Sequence, residues 1–206
     1  MSINNLLKAL SQRESSAVVF NQYRDKDILN NLNCYFEYIL KRNNRLLFIG
    51  EAPGYKGCRL TGIPFTSGKV ISNSRHKIFR QFGFNIVLSK IASESTATIL
   101  WEYLDSSKSV PILWNAFPFH PHKKGQPETN RKPDALEIEE GKRYLKLVYD
   151  LFKPKMLCSL GRIGERILKE VFPEEKVLYI RHPSHGGKSA FISGIQKVYL
   201  KGNQTS

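Results

Sequence analysis

Asn115 ends the apolar run VPILWN, Glu51 directly follows RLLFIG, and His182 stands two places beyond KVLYI. Each side chain suits a particular chemistry. An Asn at a strand tip holds a carbonyl and an amide side by side, matching a donor and an acceptor on a nucleobase edge; the same residue type also caps loops. A His fixed by a following Pro183 donates a hydrogen bond to negative charge developing on a leaving group, or it packs at a strand end. Beyond it, the Gly186-Gly187 turn leads to Lys188 at a helix start, where a phosphate is favoured. Around Glu51 the chain reads GEAPGYKG and then TGIPFTSG. Gly and Pro at this density bring backbone amides close to a ligand, or simply make a tight turn. No Gly-Lys-Ser/Thr occurs at the spacing of a Walker loop, which excludes that phosphate site. His120 and His122 in NAFPFHPH have no third ligand nearby, so no metal is expected there.

These residues need elements to hold them. Runs 45–50, 110–115, 155–160 and 176–180 have strand length, and their apolar residues are continuous rather than alternating, as in a sheet buried on both faces. Helical patterns fall over 27–42, 69–82, 94–104, 134–152, 161–172 and 188–200. Strands alternating with helices predict an α/β fold: a three-layer α/β/α sandwich with a central four-stranded parallel sheet. In such sheets ligands bind beyond the carboxyl ends of the strands, where Glu51, Asn115 and His182 stand. With no repeat or linker, 1–206 reads as a single domain in which 1–44 supplies helical cover.

Composition sets limits. Hydrophobic residues are 41% of 206, enough for a packed core. No run of 18 apolar residues occurs, which argues against a membrane helix. The polar start MSINNLL does not match a signal peptide, so a cytoplasmic protein is expected. Cys34, Cys58 and Cys158 are odd in number and widely spaced, against a disulfide framework, a structural zinc site or an iron–sulfur cluster. Lys and Arg number 32 against 18 Asp and Glu, a net +14. No acid occurs in 52–93, 106–127 or 176–206, and convergence of these stretches would make one surface for a polyanion.

Taken in order, the segments resemble the uracil-DNA glycosylase superfamily. GEAPG is similar to its first motif, as written in the thermophile-type branch that carries an iron–sulfur cluster. TGIPFTSG resembles the segment supplying a base-stacking Phe, WNAFP the strand-end Asn motif, and RHPSHGGK the His-Pro-Ser motif with its DNA-inserting loop. The resemblance spans about 45–200 and implies an enzyme that flips uracil out of DNA. It assigns base binding to Gly50, Glu51, Ala52, Pro53, Gly54, Phe65, Asn115 and His182. Phe65 would stack on the base; Asn115 would accept from N3–H and donate to O4. His182 would hydrogen-bond O2 as the glycosidic bond breaks, with amides around 51–54 holding the same anion and positioning water. Catalysis thus falls to His182, Glu51 and Asn115. The resemblance gives DNA contacts to the turn Ser184, His185, Gly186 and Gly187; Arg59, Lys69, Arg131 and Lys188 are candidate phosphate contacts by charge alone, or else solvated surface.

Departures from the family pattern shape the expectation. Ala52 stands where the best-known members place a water-orienting Asp, so Glu51, the one acid in these motifs, is nominated instead. Another branch has an Asp shortly after the Phe-Thr pair, where this chain has Ser67-Gly68. Gly54 replaces a Tyr that excludes the thymine methyl, which predicts a roomier pocket tolerant of 5-substituted uracils or deaminated purines. The cluster cysteines are missing, so neither cofactor nor metal is expected. The turn 185–188 lacks an apolar wedge, leaving duplex opening to His185, or the substrate is single-stranded. The expected partner is DNA, met by a monomer. The competing reading is a family member that binds DNA or a modified base without cutting it.

Overall fold

The computed structural model describes residues 2–42, 45–82, 85–107 and 109–203. The chain begins with α1 (Ile3–Gln12), β1 (Val19–Phe20), a 3-10 turn over Gln22–Arg24, and α2 (Lys26–Leu40). Then come β2 (Leu46–Gly50), α3 (Cys58–Thr61), α4 (Gly68–Asn73), α5 (Lys77–Phe82), α6 (Ser95–Leu104) and β3 (Ile112–Asn115). The remainder is β4 (His120–Pro121), α7 (Ala135–Phe152), β5 (Met156–Leu160), α8 (Arg162–Val171), β6 (Val177–Ile180) and α9 (Lys188–Asn203).

The four apolar runs pair as one parallel sheet in the order β3-β2-β5-β6. Alternation along β2 assigns the two faces. Next to Ile49 on one face lies α8, whose Gly164 packs so close that a Cβ there would be 2.6 Å from the Ile49 carbonyl. Phe36 of α2 joins Trp114 of β3 and Phe152 of α7, with ring centroids 5.8 and 5.1 Å away. Phe48 points to the opposite face and meets Tyr199 of α9, which in turn meets Tyr103 of α6. The predicted sandwich is therefore the observed one. Tyr35 of α2 also closes the free edge of β3, donating to the Pro111 carbonyl (2.8 Å) and accepting from Leu113 N–H (2.8 Å).

Two features depart from the expectation. The helix predicted over 69–82 is two short ones, because side chains between them take over backbone bonds. Ser74 Oγ accepts from His76 N–H (3.1 Å), and His76 Nδ1 accepts from Ile78 N–H (3.1 Å). The N-terminal segment is more than helical cover. Its β1 pairs antiparallel with β4, directly beyond the Asn115 strand tip. Gln22 Nε2 donates to the Pro118 carbonyl (2.8 Å), and His122 N–H donates to that of Val18 (2.9 Å).

Candidate active site

Gly50 and Asn115 are register partners, so the tips of β2 and β3 end level. Past them the chains stay zipped, with Ala116 N–H donating to Gly50 O (2.9 Å) and Phe117 N–H to Glu51 O (3.0 Å). A cavity of about 280 Å³ opens at this edge. Its wall contains all eight residues assigned to the base, namely Gly50, Glu51, Ala52, Pro53, Gly54, Phe65, Asn115 and His182, and also Cys58, Thr66, Glu94, Thr96, Asn130 and Arg131.

The Phe65 ring lies where a side chain on residue 50 would be. A Cβ at Gly50 would stand 2.2 Å from Phe65 Cζ and 3.0 Å from Asn115 Oδ1, so only glycine allows ring and amide to sit together. Phe65 holds a left-handed backbone (φ 56°), a strained state for a bulky residue. Its carbonyl accepts from Trp101 Nε1 (2.9 Å), and the neighbouring Thr66 hydroxyl is 2.7 Å from that of Thr61. Asn115 is 4% exposed, and no hydrogen bond joins its amide to another described residue. The amide opens on the cavity instead, where a ligand or water can supply its partners.

His182 has a defined tautomer. Ser184 N–H donates to Nδ1 (3.2 Å), and Ser184 Oγ lies 2.8 Å from the same atom. In the neutral ring the proton is therefore on Nε2, a donor for the cavity. Burial pushes the His182 pKa below its ordinary value; Glu94 opposes that and His185 adds to it. The turn beneath is tight: a Cβ at Gly187 would be 2.2 Å from the His182 carbonyl. Ser184, His185 and Gly186 are exposed on this turn, and Gly187 is buried.

Glu51 is half-buried and makes no side-chain hydrogen bond with a described residue; burial raises its pKa and Lys132 pulls it back. A carboxylate so placed is a better base than one in water. The loop after it is held from below. His120 Nδ1 is 2.7 Å from the Pro53 carbonyl and Nε2 is 3.0 Å from that of Pro127, while His122 Nδ1 is 2.8 Å from the Lys123 carbonyl. Tyr55 N–H donates to Asn130 Oδ1 (3.0 Å). The two histidines thus brace loops, and no group of three or more His, Cys, Asp or Glu among the described residues is arranged to hold a metal. Burial pushes the Cys58 thiol up to about 12.

Several assignments change. Glu51 is not the only acid in the cavity, because Glu94, one residue past the first acid-free stretch, also lines it. All five Arg131 N–H donors are engaged: by Glu137 (2.5 and 2.7 Å) and by the carbonyls of Val18, His122 and Lys132. That makes Arg131 a structural brace rather than a free phosphate contact. Its partner was signalled in the sequence, since Asp134 and Glu137 form a capping box at the start of α7. Lys188 pairs with Glu102 (2.7 Å) at the surface. Arg59 is half-buried, its guanidinium 4.8 Å from the Phe20 ring centre. Lys69 is exposed.

The model of the uracil DNA glycosylase superfamily matches residues 36–191. Among solved structures, the chain is similar to the crystal structure of wild-type SMUG2 from Pedobacter heparinus. The TM-score is 0.69 at 13% identity, over 98% of this chain and 97% of that one. No curated protein matches the chain in sequence. The family match runs from α2 into α9 and takes in every motif that meets at the cavity: this chain belongs to the uracil-DNA glycosylase superfamily.

Proposed function

We propose that the chain is a monofunctional DNA glycosylase that hydrolyses the N-glycosidic bond of uracil, or a related deaminated base, in DNA and leaves an abasic site for base excision repair. The observation that carries this reading is the Asn115 amide, which opens on the cavity and has no hydrogen-bond partner among the described residues, beside the Phe65 ring and the Nε2 donor of His182. A base rotated out of the helix stacks on Phe65, a contact worth about 1–3 kcal/mol. Asn115 accepts from N3–H and donates to O4, a pattern that uracil offers and cytosine does not. As the bond to C1′ breaks, charge on the base meets the His182 Nε2–H and the amides following β2. Water then adds to C1′. A Cβ at Gly54 would meet Glu94 and Asn130 at 3.8 Å or more, and the room of one methyl that this leaves supports tolerance of a 5-substituent. The protein works as a monomer, in the cytoplasm, without a cofactor.

The second reading, a member that binds DNA or a modified base without cutting, draws on Ala52 in place of the water-orienting Asp. Labelled uracil-containing single and double strands, incubated in EDTA and then treated with alkali, separate the two. A glycosylase gives strand breaks after alkali only. Retention of label in a complex with no breaks would support the non-catalytic reading, and activity abolished by EDTA would contradict both.

A further inference from the structure

Glu94 lies outside every motif, yet the fold builds it into the cavity wall. Its Oε1 accepts from Thr96 N–H (3.0 Å) and its Oε2 from Ala97 N–H (2.7 Å), so the carboxylate is locked at the start of α6. Its stem runs beside the loop after β2: a Cβ at Gly57 would be 3.1 Å from Glu94 Cγ, and one at Gly54 3.8 Å. Glycine at 57 in particular leaves the space that this side chain uses.

Breaking an N-glycosidic bond creates two charges, negative on the base and positive on the sugar. Asn115 and His182 are donors for the first. The second calls for negative charge already in place before the reaction. Charged and titratable groups at or near this wall are Glu51, Glu94, Cys58, Arg131, His182 and, behind them, Lys132 and His185. Arg131 is matched by Glu137. Glu51 has no side-chain hydrogen bond with a described residue and can take a proton, whereas both oxygens of Glu94 are bonded and oriented.

We propose that Glu94 is a second catalytic carboxylate, whose fixed charge stabilises the cationic sugar while Glu51 receives the proton of the attacking water. The C1′–N bond breaks with its electron pair going to the base. Water adds to C1′, and its proton passes to Glu51 and then to solvent; the base leaves as the anion held by His182 and is protonated from solvent. The proposal rests on the glycosylase reading.

The test compares wild type, Glu94→Gln and Glu94→Asp on three probes: a uracil oligonucleotide in single turnover, a strand carrying a cationic pyrrolidine in place of the sugar, and one carrying neutral tetrahydrofuran. Wild type is expected to bind the pyrrolidine more tightly than the tetrahydrofuran. Glu94→Gln should lower the rate on the order of 10²-fold and lose that preference while keeping tetrahydrofuran affinity. Glu94→Asp, which keeps charge and still caps α6, should restore part of both. A role confined to capping would leave the pyrrolidine preference intact in Glu94→Gln, and an active wild type with that result overturns the proposal alone. A wild type that releases no base and does not distinguish the two sugars overturns the glycosylase reading and the proposal with it.

Discussion

At the scale of single residues, the proposed base recognition rests on Asn115. Asn115→Asp replaces the amide donor by a second acceptor, which repels O4 of uracil. A paired donor–acceptor contact is worth about 1–3 kcal/mol of discrimination, so single-turnover rates on uracil should fall roughly 10- to 100-fold and the order of preferred bases should change. An unaltered preference series measured across uracil, hypoxanthine and xanthine substrates would remove this role. On the proposed mechanism, Glu51 sets the acid limb. Its pKa is raised from an ordinary 4.5 by burial, and the basic form is the working one. Activity should therefore be present above that raised value and lost as pH falls through it, while Glu51→Gln should be slow and flat across the same range. A Glu51→Gln profile that keeps the wild-type limb would assign it elsewhere. Asn115 and His182 could be picked out from the sequence because each sits in a local motif at a strand end, and Phe65 because it lies in the TGIPFTSG motif between α3 and α4. Glu94 could not: it reaches the cavity from a loop with no motif, and the sign that it belonged there is a helix start that needed a cap.

Among the elements, the strands were the most legible. The run at 45–50 needed only its continuous apolar character to mark it as β2, and Gly50 with Asn115 ends level because parallel register puts them there. The break between α4 and α5 was hidden, since it depends on His76, whose Nε2 lies 3.1 Å from the Ser107 carbonyl on a distant segment. The latch formed by β1, Gln22 and the loop after β3 was equally invisible, for its bonds join residues about a hundred positions apart. Arg131 ties this latch to α7. Arg131→Ala leaves Glu137 buried at 7% exposure with no counter-charge, so unfolding free energy should fall by about 2–4 kcal/mol. DNA affinity of the folded fraction should hold. Denaturant melts alongside binding titrations distinguish the two, and a loss of affinity with unchanged stability would restore Arg131 as a phosphate contact.

For the whole molecule, the three stretches without acid meet at one cavity, while the cations behind the excess of +14 stay off its wall except for Arg131. The first acid-free stretch supplies Phe65 and Thr66, the second Asn115, and the third His182, all on one cavity wall. Inside the wall stand two carboxylates, Glu51 and Glu94, so a basic protein places negative charge where a cationic sugar would form. Lys69, exposed three residues after the cavity residue Thr66, is proposed as a phosphate contact. Lys69→Ala should weaken binding to any DNA sequence and reduce the slope of log affinity against log salt by about 1. An unchanged slope would move that contact to another cation.

The central claim is that one cavity both reads and releases the base. Its most direct measurement is mass-spectrometric detection of free uracil from a uracil-containing oligonucleotide, compared between wild type and His182→Ala at equal DNA occupancy. The account predicts one free base per abasic site in wild type, and release slowed on the order of 10²-fold in His182→Ala with DNA affinity retained. Stable binding by wild type with no free base, or equal release by both proteins, would contradict it.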